Sequence, residues 1–143
     1  MKKERYMVVI AGFAHVHIND VAAHFFENPR IHLSACADTV PLVNELKSGP
    51  YTRAWNLEFC SGRFQLKVYE DWLTMLEQEK PDLCIVNSEN AYQARIAEAC
   101  AQRGIDVCLE KPMAVSLGEG LAMYRAAQTY DTEIIVNWPI TWN

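Results

Sequence analysis

No apolar stretch of this 143-residue chain approaches the ~20 residues that a helix needs to cross a bilayer, so no membrane partner is expected. No polybasic run offsets the formal net charge of −5, which argues against nucleic acid as a general partner. The five cysteines, at 36, 60, 84, 100 and 108, are odd in number and include no Cys-x-x-Cys pair, so a disulfide or zinc framework has little support. Cys36, Cys84 and Cys108 fall inside apolar strand-like runs and read as small buried hydrophobes, in keeping with a reducing, cytoplasmic setting. The apolar run after Met1-Lys2-Lys3-Glu4-Arg5 is too short for a signal peptide, and His15, His17 and Asp20 stand where a cleavage site would be. Low-complexity tracts are missing, and so is any repeat beyond a simple alternation of elements.

That alternation is the main feature present. Half the residues are hydrophobic and 22% are charged, the composition of one globular domain with a real core. Apolar strand patterns over 6–11, 31–37, 66–69, 83–87, 105–110 and 133–137 alternate with helical ones. Helices are expected over 19–27, 40–47 (stopped by Ser48-Gly49-Pro50), 71–79 with Asp71 as cap, 91–103 with Gly104 as its C′ residue, and 116–130. Ser116 with Glu119 three residues on forms a capping box. The segment 51–64 mixes Tyr51, Trp55 and Phe59 with Arg53, Glu58 and Gly62, and reads as an elaborated connection with room for a helical turn. Six strands separated by helices predict an α/β fold: a doubly wound parallel sheet with helices on both faces.

In such a sheet, ligands bind at the carboxyl ends of the strands, and four sequence features fall there. Gly12-Phe13-Ala14-His15-Val16-His17 follows the first strand where a dinucleotide fingerprint would carry three glycines. Gly12 is kept, Ala14 is a small substitute, and His17 replaces the third glycine. The following helix N-terminus offers N–H donors to a pyrophosphate, although a generic tight turn would look alike. His15 and His17 also raise a metal ligand pair. No neighbouring Asp, Glu or Cys completes a set of three, so cofactor or substrate contact is preferred and no metal is expected. Asp38 ends the second strand 26 positions after Gly12, the spacing of the acid that binds an adenosine ribose. Such a carboxylate repels a 2′-phosphate and favours NAD over NADP, whereas the plainer role is to cap the next helix. Asn87-Ser88-Glu89-Asn90 ends the fourth strand, either lining the crevice or capping a helix through Ser88 or Asn90. Finally, Ile105-Asp106-Val107-Cys108-Leu109-Glu110-Lys111-Pro112 is a buried strand that ends in an acid, a base and a proline. A surface ion pair is one reading of Glu110 and Lys111. The ligand edge makes Lys111 a candidate acid/base or hydroxyl ligand instead.

Together these residues resemble the Gfo/Idh/MocA oxidoreductases, named after glucose–fructose oxidoreductase and inositol dehydrogenase. The Glu-Lys-Pro signature within Val107-Cys108-Leu109-Glu110-Lys111-Pro112-Met113-Ala114 is the most specific element. Asn137-Trp138-Pro139-Ile140-Thr141-Trp142 resembles the segment that leaves the sixth strand for a substrate domain. The resemblance implies a Rossmann-like dinucleotide-binding domain over 1–143, with the family's C-terminal substrate domain absent. It implies that Gly12, Phe13, Ala14, His15, Val16, His17, Asp38, Asn87, Ser88, Asn90, Glu110, Lys111 and Pro112 contact NAD, and that Lys111 is catalytic. It also admits a cis Lys111–Pro112 bond, a sharp structural test. Many family members carry a histidine early in the fourth helix, where this chain has Gln93. The implied activity is hydride transfer between nicotinamide and a sugar, polyol or related substrate, with little turnover from this domain alone. The other reading is a nucleotide-binding regulatory module without catalysis. A flavodoxin-like or receiver domain would need a phosphate loop or acidic cluster after the first strand. Trp138, Ile140 and Trp142 would pack on a second domain, and without one they favour homo-oligomers.

Overall fold

Apolar runs that are short and unbroken fit strands covered on both faces, because every side chain then meets a helix. The structure, a computed structural model that describes residues 3–138, places them in one six-stranded parallel sheet. In chain order the elements are β1 (Tyr6–Ala11), α1 (Ile18–Glu27), β2 (Ile31–Ala37), α2 (Arg53–Phe64), β3 (Lys67–Tyr69), α3 (Trp72–Glu79), β4 (Leu83–Val86), α4 (Asn90–Ala101), β5 (Asp106–Glu110), α5 (Leu117–Tyr130) and β6 (Ile134–Asn137). The strand order is β3-β2-β1-β4-β5-β6, so the winding reverses between β1 and β4. All five strand pairings are parallel.

Alternation along β1 shows how the sheet divides its core. Val8 and Ile10 join Ile18, Ala22, Cys60 and Phe64 on the face covered by α1 and α2. Val9 and Ala11 join Trp72, Met75, Ile96, Ala97 and Met123 on the face covered by α3, α4 and α5. All five cysteines are free and buried. Burial pushes the Cys36 and Cys60 thiols up to about 12 and Cys108 up to about 11, the behaviour of packing groups and not of nucleophiles.

One expected helix is absent and another replaces it. Residues 40–47 form no helix, and Val40, Leu42, Val43 and Leu46 are exposed. A helix there would have an apolar stripe with no sheet surface to cover it, and tertiary burial is what stabilises a short helix. The helix forms at Arg53–Phe64 instead, with Arg53, Asn56, Cys60 and Phe64 buried. Their spacing of three, four and four is helical, but two of the four are polar, so hydrophobic periodicity misses them.

The other boundaries agree with the sequence to within two residues. Ser116 accepts from the Glu119 N–H at 3.2 Å, and Glu119 returns a carboxylate oxygen to the Val115 N–H at 3.1 Å, a capping box displaced by one residue. Asp71 caps α3 by accepting from the Thr74 N–H at 2.7 Å, and this bond holds its carboxyl below the usual aspartate range. A carboxyl lowered on folding stabilises the protein above the ordinary value of about 3.9, and that contribution is lost as pH falls through the folded value. Asp71→Ala should therefore cost about 1 kcal/mol in urea unfolding at neutral pH, with the gap to wild type closing in acid. A gap independent of pH would contradict this role.

Candidate functional site

The reversal of winding between β1 and β4 opens a crevice at the carboxyl edge of the sheet, and backbone contact sets its floor. Gly12 has φ +94°, and a Cβ there would lie 2.6 Å from the Ser88 nitrogen and 2.7 Å from its Cα. Only glycine fits that conformation at that distance. Asn87 closes the junction. Its N–H donates to the Ala11 carbonyl, its own carbonyl accepts from the Ala14 N–H, and its Oδ1 accepts from the His15 N–H, each at 2.9 Å. Asn87 therefore holds the turn in shape.

Several N–H groups of the turn are engaged in this way. Gly12 donates to the Ala37 carbonyl, Phe13 to Asp38 Oδ1 and His17 to His15 Nδ1, while the N–H of Val16 makes none of these bonds. The Phe13 ring is fully buried in the core, so only its backbone borders the crevice. Asn56 on α2 donates to the Phe13 carbonyl at 3.2 Å and accepts from Asn19 at 3.0 Å, tying the turn to both helices of that face.

Asp38 stands at the carboxyl end of β2 as expected, and it does not cap a helix, since α2 begins only at Arg53. Its Oδ1 accepts from the Phe13 and Thr39 N–H groups and from Arg53 Nη1 at 2.6 Å. Burial pushes the Asp38 carboxyl up, and the guanidinium opposes that shift. Arg53 also donates to the Thr39 carbonyl at 2.8 Å and forms a second ion pair with Glu89. Two carboxylates against one guanidinium leave one net negative charge at this end of the crevice. Arg53 is a site residue that sequence reasoning missed, because its partners lie 15 and 36 positions away. The capping alternatives for Ser88 and Asn90 are not realised either. Glu89 is the N-cap of α4, Ser88 Oγ donates to the Glu89 carbonyl, and Asn90 Oδ1 accepts from Gln93.

The opposite end is built from β5. Glu110 is 3% exposed, too buried for the surface ion pair that was one reading of it. Its carboxylate accepts from His17 Nδ1 at 3.0 Å and from Asn137 Nδ2 at 3.1 Å. Asn137 faces it because Glu110 and Asn137 are register partners across β5 and β6. His15 lies against His17, ring centroids 4.2 Å apart. Burial lowers the His15 pKa, His17 and Lys111 add to that, and Glu110 opposes it. Lys111 is half-buried, and the Lys111–Pro112 bond is cis. Trp138 is 49% exposed, while Pro139, Ile140, Thr141 and Trp142 lie outside the described residues.

Residues 51–138 match the model of an oxidoreductase family with an NAD-binding Rossmann fold. The chain belongs to the Gfo/Idh/MocA oxidoreductases. No curated protein matches it. Among solved structures, it superposes on an Agrobacterium radiobacter oxidoreductase in complex with NAD+ with a TM-score of 0.80 at 16% identity, covering 98% of this chain and 37% of the other. The WlbA dehydrogenase of Chromobacterium violaceum, solved with NADH, gives 0.78 at 19% identity over 95% and 36% of the two chains. A Synechocystis biliverdin reductase solved with NADP+ gives 0.73 at 21% identity over 92% and 37%. The chain thus spans little more than a third of the solved Gfo/Idh/MocA-like proteins it matches.

The Arg53 pairings make a direct prediction. Arg53→Met leaves Asp38 and Glu89 close together without their shared cation. The cost should be about 2 kcal/mol in urea unfolding, less than for a fully enclosed pair because both carboxylates keep some solvent. A loss under about 0.5 kcal/mol, the worth of an exposed pair, would contradict the arrangement.

Proposed function

We propose that this domain holds NAD for an oxidoreductase that transfers hydride between nicotinamide and a carbinol carbon of a sugar, polyol or related substrate. The observation that carries the reading is convergence. The Gly12–His17 turn, Asp38 and Glu110-Lys111 lie at one edge of the sheet, around the point where strand order reverses. The fit to a dinucleotide rests on the Val16 N–H, the dipole of α1 that follows it and the carboxylate of Asp38. The net negative charge shared by Asp38, Glu89 and Arg53 disfavours a 2′-phosphate, which supports NAD over NADP.

When bound, the nicotinamide ring supplies the hydride acceptor or donor. The chain's part is to position and to handle a proton. Lys111, half-buried at the end of β5, would accept the hydroxyl proton on Nζ as the carbinol is oxidised and return it to the carbonyl oxygen in the reverse direction. Glu110, fixed by His17 and Asn137, would wall the nicotinamide end. The Asn87 bonds fix the turn around the pyrophosphate position. Phe13, Ala14, His15, Ser88, Asn90 and Pro112 complete the proposed contacts.

Residues 1–143 alone are proposed to bind dinucleotide with little turnover, since the solved relatives are more than two and a half times as long. Five buried free thiols support a reducing, cytoplasmic setting. The exposed Leu117, Leu121, Tyr124 and Trp138 on and after α5 support self-association. A regulatory nucleotide-binding module without catalysis is the second reading, favoured by His17 in place of the third glycine and by the internally bonded turn.

Calorimetric titration of the chain should show binding of NAD and weaker binding of NADP. Preference for NADP would overturn the role given to Asp38, and binding of neither would overturn the function. Steady NADH formation from inositol or glucose by the 143-residue chain would contradict the expected lack of turnover.

A further inference from the structure

The sequence offered two histidines and no third ligand, and the fold supplies one. Glu110 reaches the β1–α1 turn from the end of β5, 93 positions from His17. One ligand atom each from His15, His17 and Glu110 lie within 4.8 Å of one another. We infer that these three side chains form a binding site for a divalent transition ion such as zinc, cobalt or nickel.

Three features of the geometry carry this. His17 Nδ1 and Glu110 Oε1 stand 3.0 Å apart. Two donors bound to one ion at about 2.1 Å are separated by roughly 3.0 Å at right angles and 3.4 Å in a tetrahedron. A cation can therefore replace the proton between them with little rearrangement. Second, the donors are already aimed. Asn137 Nδ2 holds the other Glu110 oxygen at 3.1 Å, and the His17 N–H fixes one nitrogen of His15 at 3.3 Å, the outer contacts that orient metal ligands. Third, Glu110 is 3% exposed, so its oxygens face protein donors and not bulk water, which strengthens their attraction for a cation. Two imidazoles and one carboxylate select first-row transition ions over magnesium or calcium. Three protein donors leave coordination positions for water or for an oxygen of a cleft ligand. The inference goes beyond dinucleotide binding and does not depend on it.

The test is a titration of the whole 143-residue chain with cobalt chloride, without dinucleotide, read by visible d–d absorption. One equivalent should bind. His15→Ala and His17→Ala should each weaken binding more than tenfold, and Glu110→Gln, which keeps size and packing, should do the same. Asn137→Ala should weaken it about tenfold. Circular dichroism verifies that each variant is folded. No stoichiometric binding, or binding that survives these changes and disappears in His24→Ala/His32→Ala, would overturn the site. NAD titrated into the same samples separates the two ideas. Absence of cobalt binding by the unmodified chain with NAD binding intact counts against the metal site alone, and cobalt binding without NAD binding counts against the cofactor alone.

Discussion

At Gly12 the backbone of the first turn approaches Ser88 so closely that a Cβ would stand 2.6 Å from its nitrogen. This contact brings the exits of β1 and β4 together where the winding reverses. Around it the Asn87 backbone and carboxamide fix the Ala11–His15 segment by three hydrogen bonds. The positions of Asp38, through the Phe13 N–H, and of His17, at the end of the same turn, follow from that junction. A side chain at Gly12 would have to separate two buried strands, and both ends of the crevice would lose their common reference.

The crevice is electrically divided. At one end, two acids share Arg53 and leave a net negative charge beside the expected ribose position. At the other, one buried acid is held by an imidazole and an amide, with Lys111 next along the chain. This polarity suits a dinucleotide lying across the sheet edge, with its sugar hydroxyls at the acidic end and its reactive ring beside Lys111. A groove of about 330 Å³ lies at the opposite edge, lined by Leu76, Glu77, Lys80, Pro81, Arg103 and Ile105. It is bordered by the exposed Arg103–Glu77 pair and collects none of the convergent groups.

Most of the fold was legible because continuous apolar runs have only one stable home in an alternating α/β chain. β1 and β2 match their sequence patterns residue for residue. The failure at 40–64 has a physical origin. Val40, Leu42, Val43 and Leu46 mimic a helical stripe but face solvent, whereas the true helix buries Arg53 and Asn56. Of the candidate site, the placement of Gly12, Asp38, Glu110 and Lys111 at the carboxyl ends of strands was legible. What they bond to was not. Arg53 reaches Asp38 through a helix whose hydrophobic pattern is broken, and Asn137 reaches Glu110 only through strand register. Three-dimensional convergence also supplied the third donor beside His15 and His17, which spacing along the chain could not reveal.

The central claim is that the carboxyl edge between β1 and β4 is where the nucleotide lies. A backbone-amide NMR titration of the chain with NAD tests it most directly. Shifts should concentrate at Gly12–His17, Asp38, Thr39, Ser88–Asn90 and Glu110–Lys111. Shifts confined to the amino edge, around Tyr6, Asp82 and Gly104, or none at all, would contradict it.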